Sequence, residues 1–275
     1  MGNSWRELAK GVLTATERRK MRASFDTVGD IAIVEIARGL DKKEKKLATL
    51  LLKSQPHIKV VAKKKGGHTG RFRHQPLNIL AGEKRLETMH AESGCRFKLN
   101  IETCYFSPRL GTERLRVAKL VKPKENILVL FAGIAPFPIV IAKNAKPAHV
   151  DSVELNPVAH KYALENVKLN KVEKIVTPMK MDAMKFLTSC RKKYDRILLA
   201  WPGHADSYIA PALKRLKKGG TLHFYDFAGE GNFGLAANKI VDACKKLRRK
   251  CVVKNIAVCG QKEPRVNRIC VDAVV

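Results

Sequence analysis

Long apolar runs are missing from this sequence. No stretch approaches the roughly 18 residues that a membrane-spanning helix needs, and the first residues lack the apolar core of a secretory signal. The seven cysteines form no C-x-x-C pair and are odd in number, which argues against a disulfide framework and against a zinc site. We therefore expect a soluble, cytoplasmic protein with no bound metal and no membrane partner.

Acidic residues are scarce relative to basic ones. The chain has 54 Lys and Arg against 25 Asp and Glu, which gives a formal net charge of +29. Such a surface attracts polyanions and favours nucleic acid bound through its phosphates. A lysine-rich or salt-adapted proteome is the alternative explanation, and the two are compatible. With 275 residues, 45% of them hydrophobic, the chain can bury one large core or two modest ones.

A complete G-x-G-x-x-G fingerprint is also missing, but the chain contains a partial one at the turn between a predicted strand and a predicted helix. The apolar run Ile127 to Phe131 leads into Ala132-Gly133-Ile134-Ala135-Pro136, and a helix-like segment follows. Small residues in a strand-to-helix turn let the backbone approach a ligand with its free N–H groups. The next apolar run ends in Glu154, whose carboxylate is placed to accept both hydroxyls of a ribose. This combination predicts a nucleoside-containing cofactor.

From residue 126 onward, strand-like and helix-like segments alternate, which predicts a parallel sheet. The last two strands, 252–259 and 266–274, are joined by too few residues for a parallel crossover, so the last strand should be antiparallel. We predict an α/β fold: a Rossmann-like, seven-stranded class I methyltransferase sheet preceded by a smaller α+β domain. The predicted parts are a basic N-terminal arm (1–24), which forms either an amphipathic helix or an extended segment, the small domain (25–110) and the methyltransferase domain (111–275). Thr112 is the expected N-cap of a helix that ends at Leu120.

Several stretches resemble one protein family. They are 103–116 (TCYFSPRLGTERLR), 131–137 (FAGIAPF), 154–157 (ELNP), 164–173 (LENVKLNKVE), 28–34 (VGDIAIV) and 70–73 (GRFR). Together they resemble the archaeal and eukaryotic-type tRNA guanine-N1 methyltransferases that act on position 37, over nearly the full chain from residue 25. The resemblance implies S-adenosylmethionine as cofactor, the tRNA anticodon stem-loop as partner, a tRNA-positioning role for 25–110, and a monomer. Larger members carry a further N-terminal domain, which this chain is expected to lack.

The resemblance also implies roles for single residues. It puts the base that removes the guanine N1 proton at Glu113, and the group that stabilises charge developing toward O6 at Arg73. Taken alone, Glu113 is more typical of a carboxylate facing a helix dipole, and Arg73 of one surface arginine among many; the surrounding signatures favour the catalytic roles. The other implied site residues are Phe131, Gly133, Glu154, Leu155 and Asp182 for the cofactor, and Arg109, Trp201, Pro202 and His204 for the substrate.

The end of the fourth strand departs from the family pattern. The family usually has Asn-Leu-Pro-Lys there, with the asparagine helping to orient the target base, whereas this chain has Ala200-Trp201-Pro202-Gly203. Stacking on Trp201 or a contact from His204 could hold the base instead, although a tryptophan is as often a core residue. Two alternative functions follow. One is a wyosine-pathway transferase that moves an aminocarboxypropyl group or methylates a tricyclic guanosine; the other is an RNA-binding relative without turnover.

Overall fold

Two compact units make up the chain in the computed structural model, which describes residues 5–21 and 24–275. The first unit comprises residues 1–91 and 96–108, and the second comprises residues 92–95 and 109–275. Residues 1–4 and 22–23 of the predicted arm lie outside the described residues. Among the helices of the described part, none is both long and apolar enough to cross a membrane.

The first unit has an α+β fold. Its elements are α1 (Trp5–Leu8), α2 (Ala15–Lys20), β1 (Asp26–Val28), β2 (Ile31–Val34), α3 (Glu44–Ser54), β3 (Val60–Lys64), β4 (Leu77–Gly82), β5 (Glu87–Glu92) and β6 (Cys95–Asn100). Strands β1 to β4 form one sheet in chain order, and β5 and β6 form a hairpin. The turn of the hairpin belongs to residues 92–95 of the second unit. There, Ser93 and Gly94 both have positive φ, 48° and 72°, which suits the right-handed twist of the two strands.

The described part of the predicted N-terminal arm packs into the first unit. A capping box starts α2: the Thr14 hydroxyl accepts a hydrogen bond from the Glu17 backbone N–H, and the Glu17 carboxylate accepts one from Thr14 N–H at 2.9 Å. Apolar side chains from this segment lie in one core with Leu47 and Val61. They are Trp5, Ala9, Leu13 and Met21. Residues 5–21 therefore bury apolar surface in this unit rather than forming an extended arm.

The second unit contains a seven-stranded sheet with helices between its strands. Its elements are α4 (Gly111–Leu120), β7 (Asn126–Leu130), α5 (Pro136–Asn144), β8 (His149–Glu154), α6 (Pro157–Leu169), β9 (Val176–Lys180), α7 (Ala183–Ser189), β10 (Tyr194–Leu199), α8 (Ile209–Arg215), β11 (Leu216–Gly229), α9 (Gly234–Lys246), β12 (Val252–Glu263) and β13 (Val266–Val274). The strand order is β12-β13-β11-β10-β7-β8-β9, with β7 to β11 parallel and β13 antiparallel to both of its neighbours. This confirms the predicted fold class, including the antiparallel last strand.

The register of the central strands brings their C-terminal ends together. Leu130 at the end of β7 pairs with Val153 of β8 on one side and with Leu199 of β10 on the other. The side chains of β7 from residue 127 to 130 are buried because helices cover both faces of the sheet. Residues that follow these strands therefore meet at one edge, which we call the carboxyl edge.

Helix α4 begins at Gly111, with Leu110 as its N-cap and no side-chain capping hydrogen bond. The prediction that Thr112 is the N-cap was wrong. The physical reason is that a 3-10 turn over Pro108–Leu110 runs directly into the helix and brings the backbone into helical geometry two residues earlier. The predicted end of the helix at Leu120 is confirmed.

Candidate functional site

The turn after β7 has an unusual backbone. Phe131, Gly133 and Ala135 have φ values of 59°, 57° and 65°, so left-handed residues alternate along it. Backbone that alternates in this way forms a concave surface lined by N–H groups, which suits polar ligand atoms. The amide of the buried Asn166 in α6 donates to the Ile134 carbonyl at 3.2 Å and fixes the turn against the sheet. The conformation of the turn is therefore fixed by a side chain of α6, which lies outside the turn.

The Glu154 carboxylate lies beside this turn, at the end of β8. One of its oxygens accepts from Gly133 N–H and the other from Asn156 N–H, each at 2.7 Å. Burial raises the pKa of Glu154, and these backbone hydrogen bonds act in the opposite direction. A carboxylate offers about four acceptor positions, so both oxygens retain capacity for a further donor. The pair of oxygens could therefore accept two neighbouring hydroxyls, as a ribose presents them.

Two further predicted cofactor residues lie at the ends of β8 and β9. Leu155 follows Glu154 directly and is partly exposed. Asp182 follows β9 and caps α7, where its Oδ1 accepts from Met184 N–H at 2.9 Å and from Lys185 N–H at 3.1 Å. This cap leaves the carboxylate at the carboxyl edge in a fixed orientation. Two carboxylates, Glu154 and Asp182, together with the apolar side chain of Leu155, suit the hydroxyls, the amino group and the apolar ring faces of an adenosine.

An aromatic cluster occupies the edge next to β10. The Phe131 ring lies 4.8 Å from the Trp201 ring and 4.9 Å from the Tyr208 ring, centroid to centroid. His204 is exposed, and its ring centroid lies 5.0 Å from that of Trp201, with the two ring planes tilted by 32°. Pro202 is buried. Trp201 is itself only partly buried. The cluster therefore joins the turn after β7 to the end of β10 and leaves aromatic surface open to solvent.

Glu113 lies in the first turn of α4 and is 6% exposed. Its Oε2 accepts from Arg116 Nε at 2.7 Å, and its Oε1 accepts from Arg116 Nη2 at 2.8 Å and from the Tyr225 hydroxyl at 2.7 Å. The Tyr225 ring in turn lies 5.5 Å from Phe137, at the start of the helix that follows the cofactor turn. The carboxylate is therefore oriented by two partners and connected through Tyr225 to the carboxyl edge.

A buried polar network continues from Glu113 into the sheet. Arg116 Nη1 donates to Asp272 at 2.6 Å, and Asp272 Oδ1 lies 2.6 Å from His223 Nδ1. His223 Nε2 lies 2.6 Å from Arg196 Nη1, and Arg196 also pairs with Glu125. Burial acts to raise the pKa of Asp272, but hydrogen bonds from His223 and Arg116 outweigh it and hold that pKa well below its usual range. The network fixes Arg116, and through it Glu113.

The protonation state of His223 follows from its partners. An arginine cannot accept a hydrogen bond, so Nε2 of His223 must accept from Arg196, and Nδ1–H must donate to Asp272. Burial in the sheet lowers the pKa of His223, and the positive charges of Arg196 and Arg116 lower it further against the opposing effect of Asp272. His223 is therefore neutral in the folded protein.

We expect stability to fall as the pH drops below about 6.5, the usual pKa of an unfolded histidine, because the unfolded chain binds a proton there that folded His223 does not. From pH 7.5 to 5.5, this residue should cost about 1 kcal/mol of unfolding free energy. The H223Q variant should lack this part of the pH dependence, since glutamine can donate to Asp272 and accept from Arg196. Urea unfolding of both proteins at the two pH values tests this, and equal pH dependences would contradict it.

The two predicted arginines lie in different units. Arg73, in the first unit, has a φ of 55°, and its guanidinium carbon lies 4.0 Å from the centre of the Tyr105 ring. This cation–π contact holds the guanidinium over the face of the Tyr105 ring. Arg109 is exposed in the 3-10 turn that precedes α4, in the second unit. The structure thus brings together Phe131, Gly133, Glu154, Leu155, Asp182, Trp201, Pro202 and His204 at the carboxyl edge. It leaves Arg109 in the turn before α4 and Arg73 in the other unit.

Several site residues escaped the sequence interpretation. Arg116 had a weak local signal, since it lies three residues after Glu113 on the same helix face. Asn156 had one as well, because an asparagine before a proline is typical of a helix N-cap. Tyr225 and Asp272 had none, because they reach Glu113 and Arg116 from strands more than 100 residues further along the chain. Only the folded sheet brings these groups together.

Comparisons with known proteins agree with this fold. The family model described as "TRM5/TYW2 methyltransferase domain" matches residues 88–254, and "TYW2 N-terminal domain" matches residues 5–85. The chain is 35% identical over 271 residues to the tRNA (guanine(37)-N(1))-methyltransferase Trm5b of Pyrococcus abyssi, covering 98% of this chain and 79% of the relative. The crystal structure of that protein superposes with a TM-score of 0.89, at 36% identity, over 99% of this chain and 80% of the relative.

Two further comparisons bear on the reaction and the cofactor. The tRNA 4-demethylwyosine(37)-methyltransferase Taw21 of Saccharolobus solfataricus is 36% identical over 222 residues, covering 78% of this chain and 83% of the relative. The crystal structure of Methanocaldococcus jannaschii Trm5 in complex with adenosine superposes with a TM-score of 0.82, at 30% identity, over 98% of this chain and 78% of the relative. Both proteins are similar to this chain in both of its units.

Proposed function

This chain belongs to the TRM5/TYW2 methyltransferase family, and from that premise we propose that it is a tRNA methyltransferase that transfers a methyl group from S-adenosylmethionine to N1 of guanosine 37. The resemblance predicted from the sequence motifs is confirmed by the family match. The observation that carries the proposal is the Glu113 carboxylate, which Arg116 and Tyr225 orient and which Tyr225 connects to Phe137, at the start of the helix that follows the turn.

S-adenosylmethionine fits the groups at the carboxyl edge. When bound, it supplies an electrophilic methyl group on a sulfonium. Glu154 would accept hydrogen bonds from the ribose hydroxyls, and Asp182 would accept one from the adenine amino group. Leu155 would lie beside the adenine. Phe131 and Gly133 would line the methionine portion.

We assign the proton transfer to Glu113. Methylation at N1 requires the N1 proton to leave, and a carboxylate within hydrogen-bond reach can accept it. Oε2 of Glu113 accepts one hydrogen bond from Arg116 and retains acceptor capacity for N1–H. The two partners hold the carboxylate in one orientation, so little reorganisation is needed when the guanine arrives. Arg73 keeps its proposed role of stabilising charge at O6.

We place the target nucleotide near the aromatic cluster, with Arg109, Trp201, Pro202 and His204 as substrate-binding residues. Ala200 has a methyl side chain and cannot hydrogen-bond a base. The exposed aromatic surface beside it could hold the base by stacking instead. We also propose that the protein acts as a cytoplasmic monomer. Light scattering of the protein alone and with tRNA tests the monomer.

An experiment can distinguish stacking of Trp201 on the target base from packing of Trp201 in the protein core. Truncation in W201A should raise KM for tRNA by about tenfold, because stacking contributes about 1–3 kcal/mol per base. W201F keeps an aromatic face and should stay within about threefold of the wild type. Steady-state kinetics with tRNA as the varied substrate measures both values. A W201A protein that melts at a lower temperature but keeps the wild-type KM would assign Trp201 to the core alone.

A second candidate function has support from two observations. The Saccharolobus relative is named as a 4-demethylwyosine methyltransferase, and Ala200 replaces the asparagine that the family usually has. A tricyclic base has more stacking area than guanine and would gain more from Trp201. Assays with unmodified tRNA and with tRNA carrying 4-demethylwyosine at position 37 distinguish the two. Faster methylation of unmodified tRNA supports our proposal, and methylation of the tricyclic base alone would overturn it.

A further inference from the structure

The segments that lead into strands β7 to β10 and β12, together with the first residues of β11, carry a dense set of basic side chains. Strands β7 to β11 are parallel, and β12 runs in the same direction because β13 is antiparallel to both β11 and β12. These segments therefore all lie at the edge opposite to the carboxyl edge. We call their basic side chains the amino-edge strip. Its members are Lys122, Lys124, Lys146, Lys171, Lys174, Arg191, Lys192, Lys193, Lys217, Lys218, Arg248, Arg249 and Lys250.

The opposite edge has the reverse composition. The segments that follow the parallel strands β7 to β11, residues 131–135, 155–156, 181–182, 200–208 and 230–233, contain no Lys or Arg but do contain Asp182, Asp206 and Glu230. The connection between β12 and β13 adds one cation, Arg265, at this edge. A surface that is basic only because the whole sequence is rich in lysine would place cations at both edges. The charge of the second unit is instead concentrated on one side.

Most of the amino-edge strip is open to solvent. Lys192 pairs with Asp151 and Lys217 with Asp195, while Arg249 binds backbone carbonyls. The rest of the strip is exposed, including Lys193, whose ammonium group donates to the backbone carbonyl of Lys214. Its other exposed members without an ion pair in the described part of the chain are Lys122, Lys124, Lys146, Lys171, Lys174, Arg191, Lys218, Arg248 and Lys250. These cations are available to an external anion.

The chemistry of the strip fits the backbone of helical RNA. The segments that carry it, 121–125, 145–148, 170–175, 190–193, 216–220 and 247–251, contain no Phe, Tyr, Trp or His on which an unpaired base could stack. With seven strands about 4.8 Å apart, the strip is about 30 Å long and can follow a run of phosphates. We propose that the amino-edge strip is a second RNA-binding surface, which binds the phosphates of an RNA duplex, on the side of the methyltransferase domain opposite to the cofactor edge.

The test uses the full chain and a labelled, blunt-ended RNA duplex of about 20 base pairs that has no loop. The variant K122Q/K146Q/K174Q removes three cations from the segments before β7, β8 and β9. The matched control, K45Q/K161Q/K185Q, removes the same charge from exposed lysines of α3, α6 and α7. Fluorescence anisotropy at several salt concentrations gives the affinity and its salt dependence. Binding of S-adenosylhomocysteine, measured on every variant, checks that the second unit is folded.

We expect the strip variant to bind the duplex about tenfold or more weakly, and the slope of log K against log salt to fall by about two to three. The control should stay within about twofold of the wild type. Equal losses in both variants would show that only net charge matters, and an unchanged affinity of the strip variant would remove the strip from RNA binding. Wild-type binding to phosphatidylserine vesicles but not to the duplex would also overturn the proposal. None of these outcomes depends on which nucleoside the enzyme modifies.

Discussion

Replacing Glu113 by glutamine is expected to slow methyl transfer by about 100- to 10,000-fold, the usual contribution of a positioned general base. Glutamine keeps the size of the side chain and can still accept from the Tyr225 hydroxyl, but it cannot take the N1 proton. Single-turnover kinetics with excess enzyme isolates the chemical step. The affinity for S-adenosylhomocysteine, measured by calorimetry, should stay within about twofold because Glu113 is not among the residues proposed to hold the cofactor.

Glu125 provides a matched control. Like Glu113, it is a poorly exposed carboxylate that pairs through both oxygens with one arginine, Arg196. E125Q therefore removes a comparable ion pair from the same polar network, but at its far end. We expect E125Q to lose stability while its single-turnover rate stays within about threefold of the wild type. An E113Q rate equal to that of E125Q would exclude Glu113 as the base.

Replacing Glu154 by alanine is expected to weaken cofactor binding by about a hundredfold or more. Two hydroxyls of the ribose would each lose a hydrogen bond to a charged acceptor, and such bonds contribute about 1.5–3 kcal/mol apiece. The Gly133 and Asn156 N–H groups would also lose their acceptor. Calorimetry with S-adenosylhomocysteine and with adenosine should show the same factor for both, because both ligands carry the ribose.

E173A is the control for the loss of one negative charge, since Glu173 is exposed and lies at the amino edge. Its affinity for both ligands should match the wild type. E154Q, which keeps one carbonyl oxygen, should lie between E154A and the wild type. If E154A lost affinity for S-adenosylhomocysteine but not for adenosine, the carboxylate would have to act on the amino-acid part of the ligand and not on the ribose.

Local patterns in the sequence were sufficient to predict the strands and helices of the second unit. The alternation of apolar and amphipathic segments located its strands and helices, and the short connection before 266–274 gave the antiparallel last strand. Glu154 could be singled out because it follows a buried strand that is next to the small-residue turn. These features depend on neighbours within a few residues or on a repeated strand–helix unit.

Contacts between distant segments could not be read in the same way. The N-terminal segment has a basic cluster at Arg18, Arg19 and Lys20, and this cluster predicted an arm. In the folded unit, Trp5 and Leu13 pack into a core that later residues of the chain form. The partners of Glu113 come from one helix turn and from β11, and those of Arg116 include Asp272 of β13. A charge pattern along the chain carries no information on which carboxylate faces which arginine after folding.

The product made on tRNA tests the proposed reaction most directly. Two transcripts of the same tRNA, one with G and one with A at position 37, are incubated with the protein and S-adenosylmethionine, and the nucleosides are then identified by mass spectrometry. We expect N1-methylguanosine from the G37 transcript and no methylated nucleoside from the A37 transcript. An aminocarboxypropyl product, methylation at another position, or tRNA binding without any product from the G37 transcript would contradict it.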